Sequence, residues 1–288
     1  MSDDRSGTHG GTGDGGTVVV GLDDSVSAAA AVDFAAGEAT VQGVPLRIVH
    51  AHPRPAREPP LESRALLDSA LERVTRLHPD LEVQHTIVGG GASEVLVDES
   101  GRAELLVLGG LGVGELADLL TGSVLARVLA RAHCPVMVTG SAVGPTTADN
   151  PVRVAMDGTV GSLNALRFGC DWALRHSTWV EAIHVEAIHV APDEFDEPTP
   201  LELRTPARLG GWITTVHREY ATVSIRTVTV HGTPVPEALV AASHGAQVMA
   251  VGAGHRVALA GPALGPVLHD LVHKAACPVA VVRGWRGD

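Results

Sequence analysis

AHCPVMV (residues 132–138) returns near the end of the chain as AACPVAV (residues 275–281). In each copy an apolar, β-branched run follows Cys-Pro, the composition of a strand buried on both faces. Cys134 and Cys277 stand 143 positions apart, and the same offset relates Gly122 to Gly265, Gly109 to Gly252 and Glu94 to Glu237. Marks that recur at one period identify a duplicated unit. Closer to the start of each copy, VGLDDS (20–25) matches VAMDGT (154–159), with Asp23 and Asp157 now 134 positions apart. The second unit is therefore longer between its first and third strands. SAVGPTTADNP (141–151), rich in small residues and proline, reads as the connection between the copies. The expected organisation is a tail over 1–16, a first domain over 17–140, a linker over 141–150 and a second domain over 151–288.

Each unit alternates two periodicities. TVVVGL (17–22), LRIVHA (46–51), LEVQHTIV (81–88), ELLVLGG (104–110) and PVMVT (135–139) read as strands. Helices are expected between them, near 25–42, 62–77, 93–101 and 122–132. The second unit repeats the order with strands at 152–156, 180–190, 222–230, 248–253 and 278–282, and helices at 161–178, 200–218, 235–244 and 265–275. Strands alternating with helices predict an α/β fold, a doubly wound parallel sheet in each unit. EAIHV occurs twice in succession, at 181–185 and 186–190. An odd spacing turns the two copies to opposite faces of a strand, so one is expected in the sheet register and the other displaced. The same parity argues against His184 and His189 forming a metal site, and no metal ligands are assigned.

Composition narrows the function. Charge is 21 − 33 = −12, which disfavours nucleic acid and anionic membranes as partners. Lys274 is the only lysine, so no lysine-bearing phosphate loop exists and no lysine Schiff base can form before the last helix. Three cysteines, Cys134, Cys170 and Cys277, are too few and scattered for a disulfide framework or a zinc site. They read as buried, reduced thiols. The acidic, glycine-rich start lacks the apolar core of a signal peptide, and no apolar run reaches 18 residues. These features together predict a cytoplasmic protein without a membrane segment.

Ligands of open α/β sheets bind beyond the carboxyl ends of the strands. There the first unit carries Asp23-Asp24-Ser25 and Gly109-Gly110-Leu111-Gly112, and after nine intervening residues come Gly122-Ser123 at a helix start. Glycines allow close approach of backbone to an anion, and a helix start offers free N–H groups. Such a loop suits phosphate without a lysine. By itself, a glycine-rich turn before a capped helix is also an ordinary turn.

GGLGVGELADLLTGS (109–123) resembles the G-x2-G-x9-G-[S/T] signature of the universal stress protein family, and the strand-end Asp of GLDDS and the AHCPVMV strand are similar to that family too. With two copies, the chain resembles a tandem universal stress protein over nearly its whole length. The resemblance implies two tandem five-stranded sheets in the order 3-2-1-4-5, of the adenine nucleotide alpha-hydrolase-like type. It implies ATP, with or without magnesium, at the switch between strands 1 and 4. Asp23 and Ala51 would line the adenine and ribose region, Gly109 and Gly112 would face ribose and phosphates, and Gly122, Ser123 and Val124 would cradle the phosphates. Leu111 stands where the family often carries Arg or His, which removes one cationic contact. The second unit departs further: His255 follows Gly252-Ala253-Gly254, and Pro266 replaces the serine. Proline offers neither N–H nor hydroxyl to an anion, although it suits a helix start. The first unit is therefore expected to bind ATP, and the second weakly or not at all.

No nucleophile–base constellation is present, so catalytic residues are assigned to none, and slow ATP hydrolysis or autophosphorylation at Ser123 is the most the residues allow. The leading expectation is an ATP-binding sensor or regulator in a stress response. An ATP pyrophosphatase fits poorly, because GLDDS lacks the glycine pair of the SGGxDS stretch. The alternative is a nucleotide-independent interaction scaffold. Its apolar terminal strands, PVMVT and PVAVV, are edges that would join the two units within one chain or two chains in a dimer.

Overall fold

The computed structural model describes residues 16–53, 60–110, 122–140, 147–186, 200–253 and 264–284, with backbone alone for 122–123 and 200–207. The first unit runs β1 (Val18–Gly21), α1 (Val26–Gln42), β2 (Leu46–His52), α2 (Leu61–Leu77), β3 (Val83–Gly89), α3 (Ala92–Ser100), β4 (Leu105–Gly109), α4 (Gly122–Arg131) and β5 (Val136–Thr139). The second runs β6 (Val152–Ala155), α5 (Val160–Arg175), β7 (Val180–Glu186), α6 (Pro200–Glu219), β8 (Ile225–His231), α7 (Val235–Ala242), β9 (Val248–Gly252), α8 (Pro266–Lys274) and β10 (Val279–Val282).

The strands form one ten-stranded sheet in the order β3-β2-β1-β4-β5-β10-β9-β6-β7-β8. Each half has the expected order 3-2-1-4-5 and is parallel throughout. The halves meet at an antiparallel pair, with Val136, Met137 and Val138 opposite Val281, Ala280 and Val279. The two five-stranded sheets are thus halves of one sheet, and the terminal strands join them within the chain.

Val18 and Val20 of β1 pack on one face and Val19 on the other, as the two-faced apolar run requires. Helices α1, α2, α5 and α6 cover the first face, and α3, α4, α7 and α8 cover the second. Both apolar layers run through both halves. α1 lies close to the sheet because Ala28, Ala31, Ala35 and Ala39 are its buried stripe. Ser25 caps its start, accepting from Ala28 N–H at 3.2 Å, and Gly43 at φ 65° closes its end. Outer strands begin later than their apolar patterns. Val223 is buried, yet it sits in a turn where its N–H donates to Tyr220 O at 3.0 Å, so β8 starts at Ile225 rather than 222. Leu81 makes the same kind of turn with His78 O, and β3 starts at Val83.

The first EAIHV copy (181–185) lies in β7, in register with Arg226–Val230 of β8. The second copy continues the strand by Glu186 alone, and 187–190 lie outside the described residues.

A mixed cluster seals the seam between the halves. Glu38 of α1, 4% exposed, meets Nε2 of His176 at the end of α5 at 3.0 Å. The His176 ring stacks on Trp172 at 4.4 Å, and Trp172 stacks on Phe34 of α1 at 6.1 Å. A buried carboxylate is costly without such a partner. His176→Phe keeps the stack and removes the nitrogen. It is expected to destabilise the protein by ~2 kcal/mol, read as a lower midpoint in urea; an unchanged midpoint would show that the pair contributes nothing.

All three cysteines are buried and none forms a disulfide. Burial pushes the Cys170 thiol up to about 12, helped by the nearby Asp171 and Glu219 carboxylates. Burial likewise pushes Cys277 up to about 12. A raised thiol pKa means the thiolate, the reactive form, is scarce below that pH. Ellman's reagent at pH 8 is therefore expected to leave Cys170 and Cys277 unmodified in the folded protein and to titrate all three cysteines in guanidinium. Fast labelling of either in the folded state would contradict the packing.

Candidate functional site

The carboxyl ends of β2, β1 and β4 lie side by side, with Gly21 opposite Val49 and Val20 opposite Val107. At these ends the chain places Ala51 and Gly109, and just past β1 Asp23, on one rim of the sheet. Ala51 is the next-to-last residue of β2, opposite Val88, and half-buried. α4 starts at Gly122, and its Val124 packs partly on the second apolar layer. Leu111 and Gly112 lie outside the described residues, as do Gly254 and His255. For Gly122 and Ser123 the backbone places the helix start.

The β1–α1 loop is tightly organised. Asp23 Oδ1 accepts from the Ser25 N–H at 3.0 Å and from its hydroxyl at 2.5 Å. The Ser25 and Ser27 hydroxyl oxygens are 3.0 Å apart. Gly109 faces Ser27 so closely that a Cβ there would meet its Oγ at 2.8 Å and its carbonyl carbon at 2.9 Å. The motif glycine is thus required by the approach of α1 to the end of β4, before any ligand is considered.

The second unit reproduces this loop. Asp157 Oδ1 accepts from Thr159 N–H at 2.9 Å and from its hydroxyl at 2.6 Å, and Thr159 caps α5. Gly252 faces the Gly161 backbone, where a Cβ would come within 2.6 Å of Ser162 N. The copies part at the start of the last helix of each unit. α8 opens with Gly265 as an N-cap that makes no side-chain bond, and Pro266 occupies the first turn. The matching acidic marks, Glu94 and Glu237, stand in the first turns of α3 and α7. There a carboxylate complements the helix dipole. The Glu94 carboxyl is held below its usual range, first by its own backbone N–H, then by the Ser93 hydroxyl, with Arg127 and Arg131 assisting.

The sequence reading assigned no role to His50 and weighed His184 only as half of a metal pair with His189. His50 Nδ1 lies 2.9 Å from Leu22 O, and His184 Nδ1 lies 2.9 Å from Met156 O. The offset of 134 that aligns Asp23 with Asp157 also aligns these histidines and their carbonyl partners, and that signal was available. His184 therefore serves its own β6–α5 loop, and His189 lies outside the described residues. Among the described residues no group of three or more His, Cys, Asp or Glu could hold a metal.

The model of the universal stress protein family matches residues 16–140 and 150–283. A universal stress protein of Mycobacterium tuberculosis is 34% identical over 291 residues, covering 92% of this chain and 96% of its own. A second from the same organism is 32% identical over 289 residues with the same coverages. Among solved structures, a universal stress protein from Archaeoglobus fulgidus superposes with a TM-score of 0.63 at 16% identity, covering 95% of this chain and 98% of that one, a likeness of fold. The matched regions, the relatives' length and the doubled 3-2-1-4-5 sheet agree: the chain belongs to the universal stress protein family, in its tandem form.

Proposed function

We propose that the protein is an adenine-nucleotide-binding regulator of a cytoplasmic stress response, with ATP held by the first unit alone. The observation that carries this reading is the contrast between two otherwise matching rims. Both keep the strand-end Asp and the close glycine contact, yet the second begins its phosphate helix with Gly265-Pro266. A proline there removes an N–H and a hydroxyl from the place where an anion would be gripped. In the first unit Gly122-Ser123 keep both.

The residues present fit such a ligand in kind. Asp23 Oδ1 is engaged by Ser25, which leaves Oδ2 for a ribose hydroxyl or an adenine amine. Ala51 offers a small apolar wall at the end of β2. Gly109 would keep side chains away from the ribose, the motif assigns Gly112 to the same role outside the described residues, and the N–H groups at Gly122, Ser123 and Val124 would meet the phosphates with the helix dipole behind them. Magnesium would accompany the phosphates as a counter-charge. No residue of the rim is assigned a chemical step, and slow ATP hydrolysis or autophosphorylation at Ser123 is the most that this reading includes. Among the described residues no helix is long and apolar enough to cross a membrane.

Calorimetry on the intact chain tests the proposal. Wild type is expected to bind one ATP, and Gly122→Ala/Ser123→Ala to weaken it at least about tenfold, the scale of one lost charge-assisted contact. Two sites per chain would mean that the Pro266 helix still holds phosphate. No binding at all would favour a nucleotide-independent scaffold, alone or as a dimer.

Asp23→Asn preserves the acceptor for Ser25 while removing the charge. It is expected to weaken ATP about tenfold and to leave inorganic tripolyphosphate unaffected. Equal loss for both ligands would place Asp23 at the phosphates instead.

A further inference from the structure

We infer that His50 is a positioning residue for the candidate nucleotide site, a strap that holds the Asp23 loop through its imidazole; the inference rests on the proposed nucleotide reading of that rim. Where the chain leaves β1, Leu22 has passed the last described ladder position on both sides, Gly21 opposite Val49 and Val20 opposite Val107. Its N–H still donates to Val49 O at 2.8 Å. Its carbonyl, beyond the last paired residue of β1, needs a donor as well. His50, the next residue of β2, supplies one from Nδ1 at 2.9 Å.

A carbonyl oxygen only accepts, so Nδ1 bears the proton and the neutral ring presents a lone pair at Nε2. Ser63 near the start of α2 meets that lone pair, its hydroxyl donating across 3.1 Å, and Ser63 is buried. One imidazole thus links three elements: β2, the β1–α1 loop and α2. Consecutive residues of β2, Val49 and His50, bracket both backbone polar groups of Leu22, immediately before Asp23. The duplicated unit provides an internal replicate. Met156 N–H donates to Ile183 O at 2.8 Å, and His184 Nδ1 donates to Met156 O at 2.9 Å, immediately before Asp157. The strap is retained in the unit whose phosphate helix has changed, so it orders the loop and does not itself grip the ligand.

The test compares His50→Ala, His50→Asn and His184→Ala in the full chain. An Asn amide can place its NH2 near the position of Nδ1. His50→Ala is expected to weaken ATP about tenfold and His50→Asn to recover most of that loss, while His184→Ala leaves ATP affinity unchanged with a comparable drop in melting temperature. A merely structural role would make affinity follow melting temperature in all three variants. Two readouts need no nucleotide. Nitrogen NMR of the wild type should find His50 as the Nδ1-protonated tautomer, and amide exchange at Asp24 and Ser25 should accelerate in His50→Ala and slow again in His50→Asn. An Nε2-protonated His50, or unchanged exchange, overturns the strap. If wild type binds no ATP, the nucleotide reading fails and the positioning role fails with it, while tautomer and exchange still decide whether the loop is strapped.

Discussion

The antiparallel pairing of β5 with β10 is the contact on which the rest of the architecture depends. Each strand is short and flanked by a parallel neighbour on one side only. Left open, its row of backbone groups would be a template for another chain. Pairing them satisfies both edges at once, and the six residues concerned are all at most 2% exposed. The consequences spread outward. The apolar layers on the two faces become continuous through both units, and α1 and α5 are brought together so that Glu38 meets His176 at the seam.

Duplication followed by divergence leaves its record in small exchanges. In the first unit Arg47 of β2 pairs with Glu99 of α3 at 2.8 Å. In the second, Glu181 stands where Arg47 does in the 134 alignment, and the cation comes instead from β6, as Arg153, at 2.6 Å. Arg153 also donates to the carbonyls of Ala242 and His244 at the end of α7. Each unit keeps an ion pair here, but in the first it joins a strand to a helix and in the second it joins two neighbouring strands. Pro266 is a different kind of change, since it preserves the helix and takes an N–H and a hydroxyl from its first turn. The fold tolerates this because a helix start already has N–H groups without intrahelical partners.

Much of the fold was legible because two-faced apolar strands such as TVVVGL and the Cys-Pro-Val strands are unambiguous when they recur at a fixed offset. The outer strands were less so. Val223 and Leu81 satisfy the apolar alternation but lie in turns, since pattern reports burial and not hydrogen bonding. Pairing of the terminal edges was anticipated, but their apolar character named no partner and left the choice between one chain and two. At the candidate site, the motif singled out Asp23 and Gly109. The need for Gly109 turned out to include the Ser27 backbone, a contact between distant parts of the chain that no local pattern encodes. His50 was missed although the 134 offset repeats it as His184, since a repeated imidazole on a strand does not by itself name the carbonyl it will meet.

The antiparallel joint also fixes a direction. Strands of the first half point one way along the sheet and those of the second half point the other, related by an approximate twofold axis beside Met137 and Ala280. The two rims, one beyond Gly109 and one beyond Gly252, therefore open at opposite edges of the molecule. No single small ligand can bridge them. Whatever the second rim now does, it does facing away from the first, and any signal between them must cross the width of the sheet through its packed strands and the α1–α5 seam.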